Sequence, residues 1–352
     1  MSLPQPRDGI LEIKPYTAAA GPLHPVCLNA NENPHGCSPL ARAAYVAAQD
    51  KLHRYPDGGA TALRDAIADL RGMKANRIVC GAGADELISI ITRAYAGAGD
   101  EVVYSAHGFV MYRLYAKAAG ATPVAAAEKN LCANVEALLS AVTPKTKIMF
   151  IANPNNPTGS LLSADELEHL REKLPENVLL VVDAAYAEYI ADKDYGDGRA
   201  LVDATPNTVM LRTFSKAYGL AGLRLGWAYC TEGVADVLDR VRGPFNISVA
   251  AQMAGMAALA DQDFVEKSRI FNAAEREALA AGLQNAGLKV YPSAANFLLV
   301  DCGTQAEKIR KDLAARNILV TPTAGYGLPH CLRITVGLEE ENAQLLAALK
   351  EI

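Results

Sequence analysis

Nowhere in the 352 residues does an apolar run approach the roughly 20 residues needed to cross a bilayer. The opening stretch, "MSLPQPRDGILEIKPY" (1–16), carries prolines and acids where a signal peptide needs an unbroken apolar segment. A basic run is missing as well. With 34 lysines and arginines against 39 acids, net charge is −5, which argues against nucleic acid as a partner. There is no Cys-x-x-Cys; the seven cysteines are odd in number and scattered, as expected of thiols in a reducing cytoplasm. His35 with Cys37, and His330 with Cys331, lack further ligands at metal spacing, so no metal site is expected. Internal repeats and low-complexity linkers are absent too. What remains is 51% apolar and 21% charged, ordinary soluble composition, and too long for one compact core. Two unequal lobes and a cytoplasmic location follow as expectations.

Short β-branched runs alternate with helical stretches over the first two thirds of the chain. Strands are expected at 77–80, 101–104, 147–152, 178–183, 208–213 and 225–230. Helical spacing marks 84–96 and 163–174, the second opening on Ser163 with Glu166 three residues later, a capping box. Strands buried on both faces and joined by helices imply an α/β fold, a mostly parallel sheet sandwiched by helices. After "RGPFN" (242–246) an Ala-rich helical region runs from about 248 to 286, followed by strand signals at 296–301 and 331–337. The expected division is a large domain, 35–245, and a smaller α/β domain made of 1–34 plus 246–352.

In a parallel sheet every strand ends on one edge, and ligands bind outside that edge. Following each strand end gives an inventory. After "RIVC" comes "GAGADE" (81–86), glycines opening a helix whose free N–H groups attract an anion. Later ends deliver Phe109, Asn156, Asp183 with Tyr186, and Ser215 with Lys216. Pyridoxal phosphate asks for this set. It needs an amine for its aldehyde, a carboxylate for its ring nitrogen, a donor for its ring oxygen, an aromatic face and a phosphate cradle. In "TFSKAYGLAGLRLGW" (213–227) a lysine and an arginine sit in an otherwise apolar stretch. Lys216 can lose its simple ammonium character in an imine; Arg224 cannot lose its charge and therefore wants an anion.

Taken with "LNANENP" (28–34), "RYPDGG" (54–59), "NPNNPTG" (153–159), "DAAYAEY" (183–189) and "CLRITVG" (331–337), the sequence resembles the histidinol-phosphate aminotransferases of fold type I, nearly end to end. The resemblance implies that Lys216 carries the cofactor and shuttles the substrate proton, and that Asp183 pairs with the ring nitrogen. Asn156 and Tyr186 would hold the ring oxygen, and Phe109 would stack on the ring. Backbone N–H groups of Ala84 and Asp85, the hydroxyls of Thr213 and Ser215, and Arg224 would hold the phosphate. It also implies that Tyr55 reaches that phosphate from the second subunit of a homodimer. Arg333 would receive the carboxylate of glutamate or the phosphate of histidinol phosphate, with Tyr16 and Asn156 assisting. The implied reaction converts histidinol phosphate and 2-oxoglutarate into imidazole-acetol phosphate and glutamate. One departure stands out: Thr321 occupies a position where relatives carry a phosphate-binding arginine. It brings in a phenylalanine or tyrosine aminotransferase as an alternative, with a threonine-phosphate decarboxylase-like enzyme behind it.

Overall fold

The computed structural model describes residues 5–15, 25–192 and 194–352. The β-branched runs pair into a seven-stranded sheet. Its order is Ile78–Gly81, Gly226–Tyr229, Thr208–Thr213, Leu179–Asp183, Thr146–Ala152, Glu101–Ser105 and Thr122–Ala126. Six strands run in one direction, and Gly226–Tyr229 runs against both its neighbours. The central strands are buried on both faces because alternate residues enter different apolar clusters. Ile148 and Phe150 pack on one side, Met149 and Ile151 on the other. Each such side chain contributes about 1.5–3 kcal/mol by leaving water.

Helix boundaries follow local chemistry. Ala164–Lys173 starts at the reciprocal Ser163–Glu166 capping box read in the sequence. The long Ala-rich region is two helices, Val249–Ala260 and Gln262–Asn285, where the sequence suggested one. Asp261 makes the break: its carboxylate caps the second helix at the Phe264 N–H and accepts the Ser38 hydroxyl. Val249–Ala260 presents Ala251, Ala254 and Ala258 to the apolar cluster that contains Leu225 and, from the large sheet, Trp227. Gly255 permits that approach, since a Cβ there would stand 2.4 Å from Leu225 Cδ2.

A second sheet of five strands is ordered Val26–Leu28, Ile318–Pro322, Cys331–Thr335, Phe297–Asp301 and Lys289–Val290. Its core joins Leu28, Leu298, Val300, Ile318, Leu332 and Ile334 to the helix residues Leu279, Leu283 and Leu345. Six strands among the described residues escaped the sequence reading, four of them only two or three residues long: Val26–Leu28, Glu128–Lys129, Cys132–Ala133 and Lys289–Val290. Thr122–Ala126 is the exposed edge of the large sheet and carries Pro123, which the edge tolerates. Ile318–Pro322 ends in proline and looks like a loop start, yet it lies inside the small sheet. Among the described residues no helix is long and apolar enough to cross a membrane.

Candidate active site

The parallel strand ends open into a cavity of about 560 Å³. Ala84, Asp85, Phe109, Asn156, Asp183, Tyr186, Thr213, Ser215, Lys216, Arg224 and Arg333 all line it. Tyr55, also expected, does not. It is exposed and stacked on Phe245, with ring centroids 4.6 Å apart. Tyr16 lies outside the described residues.

Asp183 ends its strand buried. Its Oδ2 accepts the Tyr112 hydroxyl at 2.8 Å, while its Oδ1 is buried with no partner among the described residues. Burial pushes its pKa up to about 6, against the lowering influence of Tyr112. An orphaned carboxylate oxygen is costly unless a donor comes to it, and the protonated ring nitrogen of a bound pyridine is such a donor. Sequence reading missed Tyr112. It stacks face to face on Phe150 at 4.7 Å and meets Phe109 edge-on at 5.7 Å.

Lys216 is half-buried, and its Nζ donates to the Ala30 carbonyl at 3.1 Å. Loss of water first, then the nearby cations Arg333 and Arg224, lower its pKa to about 7. A neutral amine is the nucleophile that attacks a carbonyl.

The phosphate cradle is built from one helix start and one strained turn. Helix Gly83–Tyr95 has no side-chain cap, which leaves its first N–H groups free. Arg224 adopts φ +51°, a left-handed conformation uncommon outside glycine, and donates to Ser215 Oγ at 3.3 Å. Gly83 is what lets the guanidinium reach the helix start: a Cβ there would lie 2.5 Å from Arg224 Nη2. Thr213 Oγ1 accepts the Ser215 N–H at 3.1 Å, fixing both hydroxyls in the turn. Among the described residues Arg224 has no carboxylate partner, so its charge is available to an anion.

Arg333 is buried, and it too has no carboxylate partner among the described residues. Its Nη1 donates to Asn156 Oδ1 at 2.6 Å, and its Nη2 to the Asn29 carbonyl at 2.7 Å and to Thr321 Oγ1 at 3.2 Å. Nε is buried without an acceptor. Thr321 in turn donates to the Asn29 carbonyl at 2.6 Å, so the residue that departs from the expected arginine orients the arginine that remains. A permanently charged, desolvated and uncompensated guanidinium is a site for an anion.

Behind the cavity, Arg212 pairs with Glu188 at 2.6 Å and with Asp197 at 2.8 Å. The buried Arg212–Glu188 pair ties the segment that follows Asp183 and carries Tyr186 to the strand leading into Lys216, so the two chemical groups keep one spacing.

A parallel sheet whose strand ends converge a buried carboxylate, a low-pKa lysine and an anion cradle is the architecture of the fold-type I pyridoxal-phosphate enzymes. The family model for aminotransferase class I and II matches residues 24–349, and the chain belongs to that family. It is 52% identical to the histidinol-phosphate aminotransferase of Rhodospirillum centenum, over 99% of this chain and 98% of that protein. With the same enzyme of Paramagnetospirillum magneticum it shares 52% identity over 100% and 99% of the two chains. Among solved structures, the histidinol-phosphate aminotransferase of Sinorhizobium meliloti, determined with pyridoxal-5'-phosphate, superposes with a TM-score of 0.87. That match has 33% identity and covers 92% of this chain and 89% of the other.

Proposed function

We propose that this aminotransferase exchanges the amino group of histidinol phosphate with 2-oxoglutarate, giving imidazole-acetol phosphate and glutamate. The observation that carries the reading is the uncompensated Arg333 in the same cavity as Lys216 and Asp183. It supplies one anion site that suits both the donor's phosphate ester and the acceptor's carboxylate. When bound, pyridoxal phosphate supplies an electron-poor ring that accepts the electron pair left at the donor's α-carbon. The chain's own groups do the rest. Lys216 would hold the cofactor's carbonyl carbon, and its free amine would take and return the α-proton. Asp183 Oδ1 keeps the ring nitrogen protonated. Asn156 Nδ2, which makes no hydrogen bond among the described residues, donates to the ring oxygen together with Tyr186. Phe109 covers the ring face. Ala84 and Asp85 N–H groups, Thr213, Ser215 and Arg224 hold the phosphate.

Absorbance of the bound cofactor, followed while candidate donors are added, tests the substrate assignment. Histidinol phosphate should convert the cofactor at the lowest concentration. Conversion by phenylalanine or tyrosine with none by histidinol phosphate would replace this reading with the aromatic one, which Thr321 favours by leaving a single guanidinium for a dianion. Release of carbon dioxide without any acceptor would point to the decarboxylase instead. Arg333→Ala removes a charge-assisted contact worth about 1.5–3 kcal/mol. KM for 2-oxoglutarate should therefore rise about 10–100-fold in steady-state assays.

The enzyme is proposed to be a cytoplasmic homodimer with Tyr55 completing the partner's phosphate site. Exposed Leu40, Tyr45, Val46, Leu52, Tyr55 and Phe245 support this, being large apolar groups near one another in sequence or stacked. Sedimentation should give twice the 37.3 kDa chain mass, and Tyr55→Phe should weaken cofactor retention without dissociating the dimer. The two-lobe division at about residue 245 also remains our proposal. Packing of Val249–Ala260 on the large sheet supports moving its boundary to Asp261.

A further inference from the structure

Three carboxylates line the cavity: Asp85, Asp183 and Glu32. The first accepts the Tyr115 hydroxyl at 2.8 Å and the second the Tyr112 hydroxyl. Glu32 differs, since its carboxylate has no hydrogen bond or ion pair among the described residues, and its side chain is exposed. Its backbone is held with unusual thoroughness. Asn296 Nδ2 donates to the carbonyls of Asn31 at 3.0 Å and Glu32 at 3.3 Å. Asn31 N–H bonds Thr335 Oγ1, and its amide reaches the Tyr186 hydroxyl at 3.0 Å. On the other flank Asn33 Nδ2 bridges the Ala217 carbonyl and Ser268 Oγ, both at 2.9 Å. Asn31, Asn33 and Asn296 are all buried. Three asparagines thus fix a short segment whose free side-chain group is an acid presented at the cavity.

The donor's α-carbon offers three substituents to be placed. Its amine takes the position of Lys216, and its phosphate arm goes to Arg333. The imidazole arm is left, and of the three carboxylates on the wall Glu32 is the one without a hydrogen bond among the described residues. An imidazole offers an N–H donor in both its neutral and its charged form, whereas a carboxylate only accepts.

We propose that Glu32 is a specificity-determining residue that accepts the ring N–H of the donor's imidazole. This rests on the histidinol-phosphate reading above and deepens it. The same carboxylate contributes nothing favourable to 2-oxoglutarate, an anion without an N–H, or to the benzene ring of phenylalanine. Glu32 therefore acts on one half of the exchange and discriminates between donors.

Holoenzymes of wild type, Glu32→Gln and Glu32→Asp, checked for equal unfolding midpoints, are mixed separately with histidinol phosphate, phenylalanine and 2-oxoglutarate. Cofactor absorbance gives a saturation constant and a limiting rate for each half-reaction. Equilibrium inhibition by imidazole-acetol phosphate gives a readout independent of turnover. For Glu32→Gln the saturation constant for histidinol phosphate should rise about tenfold or more with little change in limiting rate. Inhibition by imidazole-acetol phosphate should weaken in parallel. Constants for phenylalanine and 2-oxoglutarate should stay the same or improve, and Glu32→Asp should recover part of the loss. Equal losses with both donors would overturn the proposal and make Glu32 a general guide for ammonium groups; no change with histidinol phosphate would overturn it outright. If wild type itself fails to convert histidinol phosphate, the functional reading falls first and takes this inference with it.

Discussion

Lys216→Ala should lower transamination by about four orders of magnitude or more, the upper end of what a positioned acid–base group contributes. Two losses combine in this one substitution. The covalent hold on the cofactor's carbonyl carbon disappears, and so does the base that moves the α-proton. Turnover assays at saturating cofactor measure the second loss. Borohydride reduction followed by peptide mapping measures the first, and the label should sit on the peptide containing Lys216 in wild type and on none in the variant. A pH effect accompanies this role. With its pKa lowered to about 7, chiefly by loss of water, the amine of the cofactor-free chain is mostly neutral above that pH. Capture of added pyridoxal phosphate should accelerate as pH rises through about 7 and slow below it. A rate still rising about tenfold per pH unit between about pH 7.5 and 8.5, instead of levelling off, would show that the amine is not desolvated.

Asp183→Asn should cost about 10²–10³-fold in kcat, the usual consequence of removing one preorganised electrostatic partner from a buried reacting centre. The replacement is nearly isosteric, so packing around Tyr112 and Phe150 should survive. Tyr112 can still donate to the amide oxygen, which turns the amide NH₂ toward the ring nitrogen. A donor now faces an atom that needs to keep its own proton, and the ring loses much of its pull on electrons. Affinity for the cofactor should fall far less than kcat, because the phosphate cradle is untouched. If kcat held within a few-fold, Asp183 would not be the ring-nitrogen partner.

Much of the site was legible because the sheet is parallel. Residues that follow β-branched runs must collect on one edge, so Phe109, Asn156, Asp183, Ser215 and Lys216 could be gathered without coordinates. Their converging on one cavity needed only the topology. What stayed hidden depends on contacts between distant segments. Tyr112 reads as an ordinary helix residue until Phe150 and Asp183 are placed beside it. Asn31 and Glu32 precede the first helix, and nothing local says that Asn296, some 265 positions away, will fasten them at the cavity wall. The density of asparagine in "NANEN" was a signal, since amides of this kind earn burial by satisfying backbone groups. Asp261 looked like one more polar residue in a helical run; its capping bond to Phe264 makes it a break. The strand Ile318–Pro322 was obscured by its own proline.

Asn156 gives its oxygen to Arg333, and in the proposed reaction its nitrogen serves the cofactor ring. One amide therefore couples two events that chemistry treats as separate, seating an anion and tuning a chromophore. By thermodynamic reciprocity, whatever factor an incoming dicarboxylate imposes on the ring's protonation equilibrium, that equilibrium must return to the dicarboxylate's affinity. Colour change and substrate grip are then two readings of the same coupling free energy.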